Sequence, residues 1–385
     1  MTSKPVYIAQ NNIVSPLGFT TGENMDALAA GRSGIRLVED AALSPVPVFA
    51  SVIDDVALLK AAADCGLPAS IIRIETLLLL AAWPVLQQGG MRPDARMGFI
   101  LSTTKGDIGA LQTSCSNIEA ALPTTTAHHV ARHLGFTAAP VVVCNACVSG
   151  LLAISVARTM IRSGRYDHVL VVGADEVTAF VLAGFRSFQA IADEPCRPFS
   201  ANRAGVTLGE AAAAALITSD STHAIAEILG DGSANDANHI SGPSRTAEGL
   251  FYSVAGALRE AGIDASAIDY ISAHGTATLY NDEMEAVAFD RLGLTGAPVN
   301  SLKGSFGHTL GAAGLLEAII AATAAQHNML LPTVGFETLG VTKPLNVIQS
   351  YSDGHGINTF LKTASGFGGC NAAMIFRKTD RHGPA

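Results

Sequence analysis

Two stretches of this chain have the same plan, and no other feature narrows its fold as much. VVVC at 141–144 is a β-branched run leading into a small-residue helix, roughly Val148 to Ser163, and then a second apolar run, HVLVVGA at 168–174. Strand, helix and strand in that order predict a βαβ unit and a parallel sheet. In the second half, IDYISAHG (268–275) predicts a strand and NDEMEAVAFDRLG (281–293) a helix. APVNSLKGSFG (297–307) predicts a strand and loop, HTLGAAGLLEAIIAATAAQHN (308–328) another small-residue helix, and AAMIF (372–376) a final strand. Alanine and glycine let such helices pass close to a sheet or to each other. The expected class is α/β with two structurally duplicated halves, 1–220 and 221–385, meeting where AAAAALITSD gives way to STHAIAEILGDG.

Composition closes off several other classes. Of 385 residues, 49% are hydrophobic and 15% charged, which suits a chain with large buried cores. A net charge of −9 argues against a general nucleic-acid binder, which needs a basic face. The longest uncharged apolar run, LLLLAAWPVL (77–86), is half of the roughly 20 residues a bilayer requires, and MTSKPVYIAQNNIVSP has no signal-type apolar stretch. The expectation is a soluble, cytoplasmic protein without membrane association. Six cysteines do not make a disulfide framework, and Cys65, Cys115 and Cys196 read as small buried hydrophobes.

Cys144 and Cys147 stand at C-x-x-C spacing. Three readings fit that spacing: a redox pair, half of a zinc site, or a single nucleophile with Cys144 as a small strand-end residue. A zinc site needs further ligands, and neither a second C-x-x-C nor a clustered histidine pair is present, His128 and His129 being adjacent. A thiol at Cys147, at the turn into a helix, would face unpaired N–H groups and the positive end of the dipole, which favours thiolate. Asn145 and Ala146 would form the turn. This third reading needs histidine partners elsewhere, and two occur beside glycines: His274 in SAHGTAT, and His308 in KGSFGHTLGAAG, five residues after Lys303.

These motifs resemble those of the β-ketoacyl-acyl-carrier-protein synthases, the elongating condensing enzymes of the thiolase superfamily. The resemblance rests on NACVSG around Cys147, HGTAT at His274, and KGSFGHTLGAAG with Lys303 and His308. STTKGDI (102–108), RPFSANRAGVTLGEAAA (197–213) and ASGFGGCNAAMIF (364–376) extend it, in order, from about residue 5 to 377. It implies a five-layered αβαβα thiolase fold and a dimer, either homomeric or paired with a related ketosynthase-like subunit. It also implies an acyl-carrier-protein partner, acyl- and malonyl-loaded, that delivers 4′-phosphopantetheine, with no bound cofactor and no metal. Cys147 would take an acyl group from the carrier, and malonyl carrier would lose carbon dioxide. The carbanion, stabilised by His274 and His308, would then attack the Cys147 thioester.

The same resemblance places Lys303 and Glu285 in a polar network that positions the histidines, and Thr276 and Thr278 on the pantetheine arm. Phe367 becomes a gate, its amide and that of Cys147 forming an oxyanion hole. Two relatives within the superfamily imply other outcomes: a largely non-catalytic chain-length-factor subunit, or a thiolase using Cys370 as acid/base. Ala277 replaces the family's second glycine in His-Gly-Thr-Gly-Thr, Ser200 replaces an Asp, and GEAAA replaces GEGAG; packing changes are expected there. SFQAIADEPCRPF (187–199) lacks an arginine for an acidic carrier, which leaves Arg73 as a docking candidate. The departures at NACVSG and SFQAI suggest a specialised pathway, such as that of a pigment polyene.

Overall fold

The computed structural model describes residues 4–380 except 69, 114–117, 238–241, 243 and 355. Cys115 lies outside the described residues. Ten strands carry the architecture: β1 (Tyr7–Val14), β2 (Met97–Ser102), β3 (Val141–Val143), β4 (His168–Asp175), β5 (Ala211–Thr218), β6 (Ala226–Asn235), β7 (Tyr270–Ser272), β8 (Pro298–Asn300), β9 (Thr359–Gly366) and β10 (Cys370–Lys378). The order across the sheet is β8-β7-β9-β10-β6-β1-β5-β4-β2-β3, with a two-residue strand, Asn346–Val347, outside β8.

The duplication is evident in this order. From the outer edge inwards, each half places its third, second, fourth, fifth and first strands. β2 runs parallel to β3 and β4, and β7 parallel to β8 and β9. The fifth strand of each half is antiparallel to both its neighbours, with Val171 opposite Ala215 and Leu361 opposite Ile375. The halves join by antiparallel pairing of β1 and β6 at Tyr7–Glu227 and Ile8–Ala226.

Helices cover β2, β4 and β5 on both faces, so these strands are buried almost throughout rather than alternating. Val169 and Val171 face one way, into a core shared with Ile154, Leu315, Ile319, Phe360 and Met374. Leu170 and Val172 face the other, onto Leu77 and Leu78 of α1 (Arg73–Gln88) and beyond it α2 (Pro123–His133). In the second half Leu361 and Ile375 pack outwards against α4 (Glu248–Ala261) and α5 (Leu279–Arg291). Between the two halves of the sheet lie α3 (Ser149–Arg162) and α6 (Ala313–Gln326), the two small-residue helices. The result is the five-layered αβαβα thiolase fold. Gly150 and Gly314 allow the central pair to touch: a Cβ on Gly150 would sit 2.5 Å from the Leu315 nitrogen, and one on Gly314 2.6 Å from that of Leu151.

Several local expectations are corrected. The strand read over 268–275 is only Tyr270–Ser272, because the chain must turn at His274. The helix read from 308 starts at Ala313, after a 3-10 turn, Leu310–Ala312, in which Leu310 has φ +52°. Cys65 is exposed just beyond the helix Asp55–Asp64, not buried. Cys144 stands at the end of β3, and it is exposed there because β3 is the outermost strand and its end has one neighbour, not two.

Candidate active site

A cavity of about 290 Å³ opens where the ends of β3, β7 and β9 converge, and Cys147, His274, His308, Thr276, Thr278, Phe367 and Cys370 all line it. Cys147 follows Ala146, which has φ +42°, so the chain turns sharply there before α3 begins at Ser149. Ser149 Oγ accepts from the Asn145 N–H (2.8 Å) and donates to the Ala146 carbonyl (2.6 Å), bracing the turn. The glycine-rich loop after β9 lies directly on it, since a Cβ on Gly366 would be 3.0 Å from the Cys147 nitrogen and 2.9 Å from Cys370 Sγ.

The expectation of a helix-lowered thiol is overturned. Burial, reinforced by the neighbouring Cys370, pushes Cys147 up to about 12 against the opposing pull of Lys303 and Lys105. The thiol is therefore protonated at rest. Burial also holds both imidazoles well below the ordinary histidine value, helped for each by Lys303 and Lys362. They are neutral, with centroids 5.2 Å apart and rings nearly perpendicular, and each has a buried Nδ1 with no hydrogen-bond partner.

The peptide around His274 is clamped from two directions. Glu285, on α5, accepts from the His274 N–H (2.8 Å) and the Gly275 N–H (2.6 Å), and also from Thr363 Oγ1. From the other side Lys362 Nζ donates to the Ser272 and Ala273 carbonyls at 3.1 and 3.0 Å. Lys362 and Lys303 share one carboxylate, Glu317, at 2.8 and 2.6 Å. Burial opposes that charge, but the two ammonium groups outweigh it and hold the Glu317 carboxyl low. Lys303 therefore stands behind the cavity wall, its ammonium on Glu317, and does not line the cavity. His308 is held by its backbone, donating to the Thr207 carbonyl (2.7 Å) and accepting from the Gly209 N–H (3.0 Å).

Thr278 caps α5 by accepting from the Asn281 N–H, and its hydroxyl lies 2.9 Å from that of Thr276. Ala277, between them, has φ +63°, a left-handed conformation costing a side-chain-bearing residue about 1–2 kcal/mol. At the mouth, the Phe367 ring sits between Phe185 (5.3 Å) and Phe188 (5.2 Å).

Sequence reasoning missed Glu317, Lys362, Phe185 and Phe188. Glu317 left one signal: it is the lone charge in a helix otherwise apolar all round. Arg73 is corrected as a docking residue. Asp55, Glu176 and Glu210 surround its guanidinium, so its charge is used within the fold. Cys370 donates to the Phe367 carbonyl at 3.3 Å. Among the described residues no cluster of three or more His, Cys, Asp or Glu side chains is arranged to hold a metal ion, and no helix is long and apolar enough to cross a membrane.

Residues 3–223 match the profile of the Beta-ketoacyl synthase, N-terminal domain, and residues 225–337 that of the Beta-ketoacyl synthase, C-terminal domain. A putative mitochondrial 3-oxoacyl-[acyl-carrier-protein] synthase of Schizosaccharomyces pombe is 33% identical over 66% of this chain and 64% of its own length. A 3-oxoacyl-[acyl-carrier-protein] synthase 2 of Rhizobium meliloti is 36% identical over 62% and 61%. The chain thus spans less than two thirds of the length of these two relatives. Among solved structures, the ishigamide ketosynthase/chain length factor superposes with a TM-score of 0.86 at 26% identity, over 98% of this chain and 100% of the other.

Proposed function

The chain belongs to the β-ketoacyl synthase family, and from that premise we propose that it catalyses decarboxylating Claisen condensation of a Cys147-bound acyl chain with malonyl-acyl-carrier protein. The observation carrying this reading is that a buried thiol and two neutral imidazoles, from three separate segments, line one cavity.

A protonated thiol needs a proton acceptor, and a neutral imidazole is one. As Cys147 Sγ attacks the carrier thioester, its proton passes to an imidazole and then to the departing carrier thiol. The products are acyl-Cys147 and free carrier thiol. Malonyl carrier next enters and releases carbon dioxide, leaving an enolate. N–H donors of His274 and His308 stabilise its oxygen in a site shielded from water. The enolate carbon attacks the acyl-Cys147 carbonyl, a carbon–carbon bond forms, and the sulfur leaves as thiolate. It takes one proton from solvent once the β-ketoacyl carrier departs and so returns to the resting thiol. The Cys147 and Phe367 amides receive the oxyanion, a role supported by the fit of the glycine loop against the Cys147 nitrogen.

In this reading Lys303 and Glu285 act by positioning, Thr276 and Thr278 meet the pantetheine arm, and Phe367 gates it. 4′-Phosphopantetheine arrives as part of the carrier substrate. We extend the proposal to a dimer, with itself or with a related subunit, to a cytoplasmic reaction, and to a division of the chain at residue 220.

Intact mass after incubation with acyl-carrier proteins bearing saturated, unsaturated and aryl chains tests the reading. The expected result is an acyl adduct that a Cys147→Ala variant lacks, heaviest in occupancy with unsaturated or aryl chains if the pathway is of the pigment-polyene kind. No adduct with any carrier would overturn the condensing role and favour a non-catalytic partner subunit.

A further inference from the structure

We infer that the ion pair between Lys105 and Asp175 is a positioning pair for Cys147 and His308, holding both segments in register and setting the charge they experience. This rests on the condensing reading for its purpose, although its geometry stands apart from that reading. Asp175 ends β4 with its side chain 1% exposed, and Lys105 lies 3.4 Å away, 15% exposed. Neither lines the cavity.

The Asp175 carboxylate touches both arms of the site. Oδ2 accepts from the Gly311 N–H at 2.7 Å, within the turn three residues past His308. Oδ2 also accepts from the Thr104 N–H and hydroxyl, each at 2.9 Å, and Oδ1 accepts from Thr103 Oγ1 at 3.0 Å. The Thr103–Thr104 loop reaches the strand that delivers Cys147: the Thr103 N–H donates to the Val143 carbonyl (3.3 Å), and the Thr104 carbonyl accepts from Cys144 Sγ (3.3 Å). Space around the turn is tight. A Cβ on Gly311 would lie 2.7 Å from Asp175 Oδ2, and one on Gly150, just after Cys147, 3.0 Å from the Gly311 carbonyl. Asp175, the Gly311 turn and the start of α3 form one packed stack.

Charge adds a second effect of opposite sign for each partner. Lys105 pulls both Cys147 and His308 down, whereas Asp175 pushes Cys147 up. Lys303 acts on both in the same sense as Lys105, Lys362 acts on His308, Cys370 opposes them at Cys147, and His274 shares the cavity. Beyond Asp175, Glu176 is pushed up to about 8 by burial, with Glu210, Asp107 and Asp175 adding to it and Arg73 opposing. These other groups are unchanged in the variants below.

The test is the rate at which iodoacetamide modifies Cys147 at pH 8, read on the Cys147 peptide by mass spectrometry so that exposed Cys65 and Cys144 do not contribute. Asp175→Asn keeps one oxygen to accept from the Gly311 turn, removes the charge, and puts an amide NH2 where Oδ1 accepted from Thr103 Oγ1. Lys105→Met is expected to slow modification about threefold and Asp175→Asn to speed it about threefold, because a change in thiolate population is partly offset by the opposite change in its nucleophilicity. The double variant should return close to the parent rate, and Lys105→Arg should keep it. Single variants that shift in the same direction, or that stay within the scatter of the parent, would overturn the pair. Alkylation needs no carrier protein. Opposite shifts in a chain that accepts no acyl group would leave the pair standing and remove the condensing reading.

Discussion

His274 and His308 are each 2% exposed and both neutral, which links the site to the stability of the chain. In the unfolded chain each titrates near the ordinary value of about 6.5. The folded values lie well below that, so as pH falls through about 6.5 the unfolded state binds protons that the folded state refuses. Each histidine therefore takes stability away on the acid side, by up to about 1.4 kcal/mol per pH unit, while Glu176 (about 8) and Asp282 (about 7), buried carboxyls that protonate in the folded chain first, act in the opposite sense. The histidine part is the difference between the urea-midpoint profiles of the parent and a His274→Asn/His308→Asn double variant from pH 7.5 to 5.5, and the parent should lose stability relative to the variant as pH falls. Parallel profiles would mean the imidazoles protonate in the folded protein. These two residues were legible in the sequence because a glycine adjoins each, with His274 at the end of an apolar run and His308 at a loop-to-helix turn. Lys303 and Glu285 among their supports came from the family resemblance, but Lys362 and Glu317 were not legible. Lys362 reads as one residue of a strand, TFLKTASG, and its partner Glu317 is far away in sequence, so nothing local reveals the pair. Arg73 was misread for the same reason, since its carboxylate partners come from three other segments.

The strand–helix rhythm survived translation into structure because it reflects burial on both faces, a property that each segment carries by itself. Where elements begin was less legible. α6 starts five residues later than its apolar pattern suggests, since the Gly311 N–H is taken by Asp175 and Leu310 is held in a left-handed conformation. The crossing of α3 and α6 depends on glycine for a steric reason: at Gly150 the atoms in the way are the backbone of α6 and its entry turn, which cannot rotate aside. Gly150→Ala should cost about 2–3 kcal/mol, at the upper end of overpacking changes, and should also reduce acylation by moving the Gly311 turn. At Gly184, in the helix Ala179–Ser187, an added Cβ would meet nothing within 4 Å, and Gly184→Ala should be neutral or slightly stabilising. Equal effects of the two substitutions in thermal melts would show that the crossing has slack.

The internal duplication raises the question of whether the halves unfold separately. The central layer says otherwise, because α3 and α6 each pack beneath strands of both halves within a single apolar core. A polar tie adds to this. Arg158, on α3 and nearly buried, binds Asp231 of β6 and Glu260 of α4, at 2.8 Å for Glu260, and donates to the Leu229 carbonyl at 2.9 Å. The carboxylates are 23% and 39% exposed, so water partly compensates them once the arginine is gone. Arg158→Ala should thus cost about 2 kcal/mol, below the 3–5 kcal/mol typical of a fully buried broken pair. Loss of the tie alone should not uncouple the halves, since the shared core remains. The chain has one tryptophan, Trp83, placed on α1 in the first half, so its fluorescence reports that half while far-UV circular dichroism reports the whole. Coincident urea transitions by both probes, in the parent and in Arg158→Ala, are expected of one cooperative unit. A tryptophan transition separated from the dichroism in the variant would mean that Arg158, more than the apolar layer, binds the two halves.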